Sequence, residues 1–127
     1  MNDREYRKER RRQARLERLG CNNPFCIIDG EDDPRVLQAH HRGGHKYTEA
    51  TVLICLNHHG KAEELRKDHP PELSTKPDAL ECDGRHLLGL ADLLSLLEVP
   101  PEIVELIRQA GFRLIEAGLV GAHGDQP

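Results

Sequence analysis

The chain has no tryptophan, and only two tyrosines and two phenylalanines. A core built on large aromatic rings is excluded, so a small folded unit here needs a staple such as a metal ion. Long apolar runs are missing too. The longest are too short and too interrupted to cross a bilayer, which takes about 20 consecutive apolar residues. The opening stretch, MNDREYRKERRRQARLERLG, is charged throughout and lacks the apolar segment of a secretory leader. Cysteine is scarce, four in 127 residues. The expected compartment is therefore reducing and cytoplasmic, where thiols serve metal ligation rather than disulfides. The length suggests one domain, or a small one with an appendage.

Charge of one sign is not lacking but is unevenly placed. The net charge is -4, yet residues 1–20 carry eight Arg/Lys against four Asp/Glu, and the remainder ten against eighteen. A basic arm on an acidic body suits contact with a phosphate backbone. The plainer alternative is a solvated helix. Residues 4–19 read as that helix, polar except at Tyr6, Ala14, Leu16 and Leu19, with Gly20 as its stop.

The segment CNNPFCIIDGEDDPR, residues 21–35, is rich in turn-forming pairs. Val36 to His40 or His41 then reads as a strand, Gly43-Gly44 opens a loop, and Thr51–Ile54 reads as a second, β-branched strand. Asn57 is placed to cap a helix running to about Asp68, ended by Pro70-Pro71. Residues 70–84 read as a linker. Two helices are expected near 85–98 and 101–118, with apolar stripes Leu87, Leu90, Leu94, Leu97 and Ile103, Ile107, Ala110, Leu114. They form an αα-hairpin that either packs on the preceding unit or pairs with a second copy. Residues 119–127 read as a flexible tail.

Two cysteine-containing pairs flank the predicted hairpin: Cys21 and Cys26 as C-x4-C, then Cys55 and His58 as C-x2-H. Brought together they make a tetrahedral Cys3His zinc site, since a short turn delivers two ligands to one ion at little entropic cost. Asp29, three residues after Cys26 and just before Gly30, is the alternative fourth ligand; Cys21 is favoured because thiolate suits zinc better than carboxylate. Ordinary buried thiols are the metal-free alternative. Cys82 reads as a plain residue, or as a stray partner of His86.

The stretch LQAHHRGGHKYTEATVLICLNHHG holds two His-His pairs. A strand sends successive side chains to opposite faces, so His40 and His41 do different work. His59 and Glu63 share a helix face. If that helix crosses the hairpin, His40 and His59 hold one divalent metal with Glu63 as third ligand or orienting partner. His41 is left on the ion's open side, free to take a proton, while His58 turns to the cysteines.

That division resembles the HNH endonucleases, whose ββα-metal finger is often stapled by a zinc knuckle. The resemblance is carried by CIIDGEDDPRVLQAHHRGG, Cys26 to Gly44, and TVLICLNHHGKAEE, Thr51 to Glu64, and covers roughly residues 21–69. It implies a zinc-stapled ββα-metal nuclease unit over 21–69, which with the basic N-terminal helical arm (1–20) and the C-terminal helical hairpin read above makes a small α+β fold. It implies His40 and His59 as ligands of a catalytic divalent metal (Mg²⁺, Mn²⁺, Ni²⁺ or Zn²⁺) and His41 as general base. It also implies DNA as substrate, RNA being the second choice, and a bacterial or phage-infected cell as setting. The chain departs from the family at its middle asparagine. Five residues before the second-strand cysteine stands Ala50, with Glu49 and Thr51 as neighbouring substitutes.

The mechanism implied is metal-assisted phosphodiester hydrolysis, with a neutral imidazole taking a proton from water near its ordinary pKa of about 6.5. His41 has the alternative of a purely structural histidine. His45 reads as a substrate contact or a solvated bystander. Arg42, Lys46, Lys61, Arg66 and Lys67 are available for phosphates, though each alone reads equally as surface charge. Two other functions compete: a non-catalytic zinc module that binds nucleic acid, favoured by Ala50, and an interaction protein built on the Leu-rich C-terminal helices.

Overall fold

The structure, a computed structural model, describes residues 2–72 and 75–124. Leu73 and Ser74 of the expected linker, and Asp125 to Pro127 of the expected tail, lie outside the described residues.

The chain opens on helix α1, Asp3–Leu19. Asn2 and Glu5 form a capping box: the Glu5 backbone N–H donates to Asn2 Oδ1 at 2.9 Å, and the Asn2 N–H to Glu5 Oε2 at 3.2 Å. At the far end Gly20 adopts the left-handed conformation, φ 70°, that closes a helix. Leu16 is the buried residue of α1, so this helix gains little from packing and leans on its caps.

After a 3₁₀ turn at Pro34–Val36 come strands β1, Leu37–His41, and β2, Thr51–Cys55. They pair antiparallel, with Leu37 opposite Cys55 and His41 opposite Thr51. Helix α2, Leu56–Arg66, follows β2 without a connecting residue, its N-cap being Cys55 rather than the expected Asn57. The order β1, β2, α2 over residues 37–66 is a small α+β unit.

The linker and tail expectations are corrected. Helix α3 spans Ala79–Leu96 and α4 spans Pro101–Gly124, so helix occupies the last part of 70–84 and the first part of 119–127. Asp78 starts α3 by accepting the Glu81 backbone N–H at 2.7 Å. The hairpin's buried face is also not the one read from leucine spacing. Leu97 and Ile103 are exposed, whereas Leu88, Ala91, Leu93, Val104 and Ile115 are buried. The reason is close backbone approach. A Cβ on Gly84 would stand 2.6 Å from the Gly111 carbonyl oxygen, so the helices close on these two glycines, with Leu88 packed over Gly111, and not on the expected stripe. Glu81, Arg85 and Asp92 occupy further buried positions of α3.

One apolar cluster joins the parts: Cys26, Leu37, Ile54, Cys55, Ala62 and Leu93, with Leu19, Ile28, Val52 and Leu96 packed around it. Leu93 belongs to α3, so the helical hairpin packs on the ββα unit, one of the two arrangements expected for it. Among the described residues no helix is long and apolar enough to cross a membrane.

Two glycine substitutions should move stability in opposite directions. Gly84→Ala inserts a Cβ against backbone and Ile115, and overpacking of this kind costs about 1–3 kcal/mol. Gly60→Ala, on α2 with nothing near its Cβ, should stabilise by about 1 kcal/mol through helix propensity. Urea unfolding of the two variants checks both signs.

Candidate metal centre

Two clusters of ligand-type side chains flank the junction of β2 and α2. In the first, Cys26, Asp29, Cys55 and His58 bring their ligand atoms within 4.8 Å of one another. The Cys26–Gly30 turn builds half of it. The Gly30 N–H donates to the Cys26 carbonyl at 2.9 Å, and Gly30 turns left-handed at φ 80°. That turn folds Asp29 back over Cys26. The turn is pinned to the sheet because the Ile27 N–H donates to the Leu53 carbonyl at 3.1 Å. The other half is the strand-to-helix junction, which sets Cys55 and His58 three residues apart around the first turn of α2.

Cys55 Sγ is 3.1 Å from His58 Nδ1 and 3.6 Å from Asp29 Oδ2, and His58 Nδ1 is 3.3 Å from that same oxygen. Cys26 Sγ is 3.9 Å from His58 Nδ1. A tetrahedron with metal–sulfur bonds of about 2.3 Å and metal–nitrogen bonds of about 2.0 Å has ligand atoms roughly 3.3–3.8 Å apart. The four groups therefore fit one ion with little movement. The Ile28 backbone N–H also donates to Cys26 Sγ at 3.4 Å, a contact that suits a thiolate. Burial pushes the Cys55 thiol up, so its thiolate calls for a cation beside it. Asp29 is held below the ordinary carboxylate value, first by the Glu31 N–H and then by the Cys26 side chain.

Cys21 is not in this cluster. It is exposed, directly after the Gly20 cap, and Asn23-Pro24 separates it from Cys26. The preference for Cys21 is therefore corrected to its alternative, Asp29. Ligand softness favoured a third cysteine, but the turn geometry delivers the carboxylate. Cys82 also lies outside both clusters.

The second cluster is His40, His59 and Glu63, the trio expected from strand alternation and the helix face. His40 Nδ1 and His59 Nε2 each lie 3.9 Å from Glu63 Oε1, and the rings meet edge to face with centroids 5.3 Å apart. Arg66 Nη2 donates to Glu63 Oε2 at 2.7 Å, which fixes the carboxylate and leaves Oε1 facing the imidazoles. Arg66, one helical turn after Glu63, belongs to the site as its orienting partner, a role beyond the phosphate contact or surface charge expected of it. Burial holds His40 below the ordinary imidazole value, with the neighbouring His59 adding to the effect. A ring kept neutral in this way is ready to ligate. The cluster has the imidazole and carboxylate donors that suit a hard or borderline divalent ion.

No family model, curated protein or solved structure matches this chain. What the clusters can do is set by their atoms.

His41, next to His40, is held differently. Its Nδ1 lies 3.0 Å from the Thr48 carbonyl oxygen. A carbonyl only accepts, so Nδ1 is the donor, and in the neutral ring the lone pair lies on Nε2. The His45 ring stands 4.6 Å away, centroid to centroid, so His45 is a neighbour of His41 and not a remote loop residue. Spacing had no means of finding the Thr48 contact, because it uses a backbone atom of a loop.

The expected metal chemistry follows from this placement. Protein loaded with zinc should keep one equivalent of tightly held metal in the Cys21→Ser variant. The Cys55→Ser variant should lose it, and Asp29→Ala should hold it more weakly. Elemental analysis after dialysis against a mild chelator reads all three.

Proposed function

We propose that this chain is an HNH-type endonuclease that hydrolyses DNA phosphodiester bonds with one divalent metal and a histidine general base. The observation that carries the reading is the split of two adjacent histidines. His40 joins His59 and Glu63 in a ligand cluster, while His41 donates Nδ1–H to the Thr48 carbonyl, which makes Nε2 the basic atom of the neutral ring. A ligand set beside a basic nitrogen is the arrangement that metal-assisted hydrolysis requires.

In this reading the Cys26, Asp29, Cys55, His58 cluster holds a structural Zn²⁺ that staples the ββα finger. His40, His59 and Glu63 would hold Mg²⁺, Mn²⁺, Ni²⁺ or Zn²⁺, which supplies Lewis-acid stabilisation to the phosphate and the leaving oxygen when bound. His41 Nε2 accepts the proton of the attacking water. The Thr48 carbonyl then stabilises the imidazolium through Nδ1–H and holds the ring in place. Arg66 keeps Glu63 aligned.

The family's middle asparagine is replaced by Ala50, yet its loop is still tied. The Ala50 N–H donates to Thr48 Oγ1 at 3.0 Å, and Thr48 in turn holds His41. Thr48 is thus the residue we assign to the anchoring role, in place of Glu49 or Thr51. The basic face of α1 supplies phosphate contacts. A groove lined by Arg15, Arg18, Arg35 and Gln38 runs between that helix and β1. Such contacts are sequence-independent and weaken steeply with salt. Exposed Ile103 and Leu106 on α4 are the surface through which a homodimer would form.

The second reading is a nucleic-acid-binding zinc module that keeps the fold without the chemistry, and Ala50 is the observation that favours it. Plasmid nicking decides between the two. Wild-type protein should nick in Mg²⁺, Mn²⁺ or Ni²⁺ and stop on chelation. His41→Ala should lose about 10²–10⁴-fold in rate while keeping its metal content and thermal midpoint. Undiminished nicking by His41→Ala sinks the assignment of the base. Binding without cleavage in every metal favours the module.

A further inference from the structure

The loop that holds the Thr48 carbonyl against His41 spans residues 42–50, between β1 and β2. It carries two left-handed glycines, Gly43 and Gly44, at φ 82° and 109°. It is braced in part from within, since the Tyr47 and Thr48 N–H groups donate to the Gly44 carbonyl at 3.1 and 3.3 Å and the Ala50 N–H donates to Thr48 Oγ1 at 3.0 Å. Further rigidity comes from outside the ββα unit.

Three contacts supply it. The backbones of α3 and the loop touch: a Cβ on Gly89 would fall 2.1 Å from the Gly43 nitrogen, and one on Gly43 would fall 2.3 Å from the Arg85 carbonyl oxygen. The Arg85 guanidinium stacks over the Tyr47 ring, 5.0 Å from its centroid. Lys46 pairs with Glu72, the residue after Pro70-Pro71. Arg85 itself is fixed from several sides. Its side chain is 4% exposed. It donates to the Pro70 carbonyl, to the Pro71 carbonyl at 2.9 Å and to the buried Glu81 carboxylate at 3.4 Å. Nη1 and Nη2 are thus engaged, the buried Nε has no hydrogen-bond partner among the described residues, and the guanidinium lies over the tyrosine ring. A buried arginine held this firmly is a rigid platform, since moving it would strand its charge.

Tyr47 precedes Thr48. Seating the Tyr47 ring on that platform therefore fixes the direction of the next carbonyl, the one that receives His41 Nδ1–H. We infer that Arg85 and Tyr47 are positioning residues for His41: α3 reaches across to the β1–β2 loop and, through this stacked pair, sets the tautomer and orientation of the general base. The inference rests on the nuclease reading for its kinetic part. Its structural part, the state of the His41 ring, stands independently of that reading.

The test uses the full chain loaded with metal and compares Tyr47→Leu with Tyr47→Phe. Phenylalanine keeps the ring that stacks on Arg85, and leucine removes it. Arg85 is spared because removing it leaves Glu81 buried and unpaired, and the protein then risks not folding. Long-range ¹H–¹⁵N correlation spectra read the protonated nitrogen of the His41 ring directly. Wild type and Tyr47→Phe should show Nδ1–H, and Tyr47→Leu should show a mixture with Nε2–H. In nicking assays kcat of Tyr47→Leu should fall roughly 10- to 100-fold, the scale of a misplaced catalytic group, with KM and metal content unchanged. Tyr47→Phe should restore the wild-type rate. If Tyr47→Leu keeps a pure Nδ1–H ring, the inference is overturned. It is equally overturned if Tyr47→Phe behaves like Tyr47→Leu, since the stacked ring is then not the cause. Should the wild type fail to cleave, the nuclease reading falls, and the ring spectra alone decide whether the platform positions His41.

Discussion

The immediate passage from strand to helix at Cys55 governs the site. Cys55 closes the ladder opposite Leu37 and at the same time caps α2, so no loop residue separates the two periodicities. Adjacent residues on a first helical turn point about 100° apart. His58 therefore turns back to Cys55, and His59 turns across β1 to His40. One inserted residue at this point would rotate the helix by that same angle, swinging His58 to the side of the second cluster and His59 away from both. Two ligand sets that share one junction cannot be moved separately.

The packing reinforces this arrangement. Cys26 and Cys55 are both members of the apolar cluster, so the first set of ligands sits at the edge of the core. Burial pushes the Cys55 thiol up, and a pair of buried thiolates is costly unless a cation offsets it. A cation held there would link fold and ligation, because the aromatic-poor sequence leaves the core short of area and these side chains occupy places that larger ones would otherwise fill.

Much of this was legible in the sequence. β1, β2, α2 and α1 were readable from turn pairs, β-branched residues and glycine stops to within a few residues. The grouping of His40, His59 and Glu63 followed from strand alternation and i,i+4 spacing together with one tertiary condition, that the helix crosses the hairpin. The fourth member of the sulfur cluster did not follow. Choosing between Cys21 and Asp29 depends on which residue the left-handed Gly30 turn folds back, and ligand softness pointed the wrong way. The C-terminal helices were legible as helices but not in their faces. Leucine spacing marks an apolar stripe, whereas the contact actually made runs through Gly84 and Gly111, which carry no hydropathy signal. Thr48, Tyr47 and Arg85 escaped for a related reason: they act through backbone atoms and a buried charge.

Leu93 gives the hairpin a stake in the ββα unit that its position in the chain conceals. It comes from α3, yet it completes the same core as Cys26, Leu37 and Ile54. A fragment ending near residue 69 would carry every candidate ligand and still expose the side of that core which Leu93 covers. The ββα unit is therefore not a portable cassette. Grafted without its helical hairpin it would bring the ligands but not the surface that keeps them dry and in place.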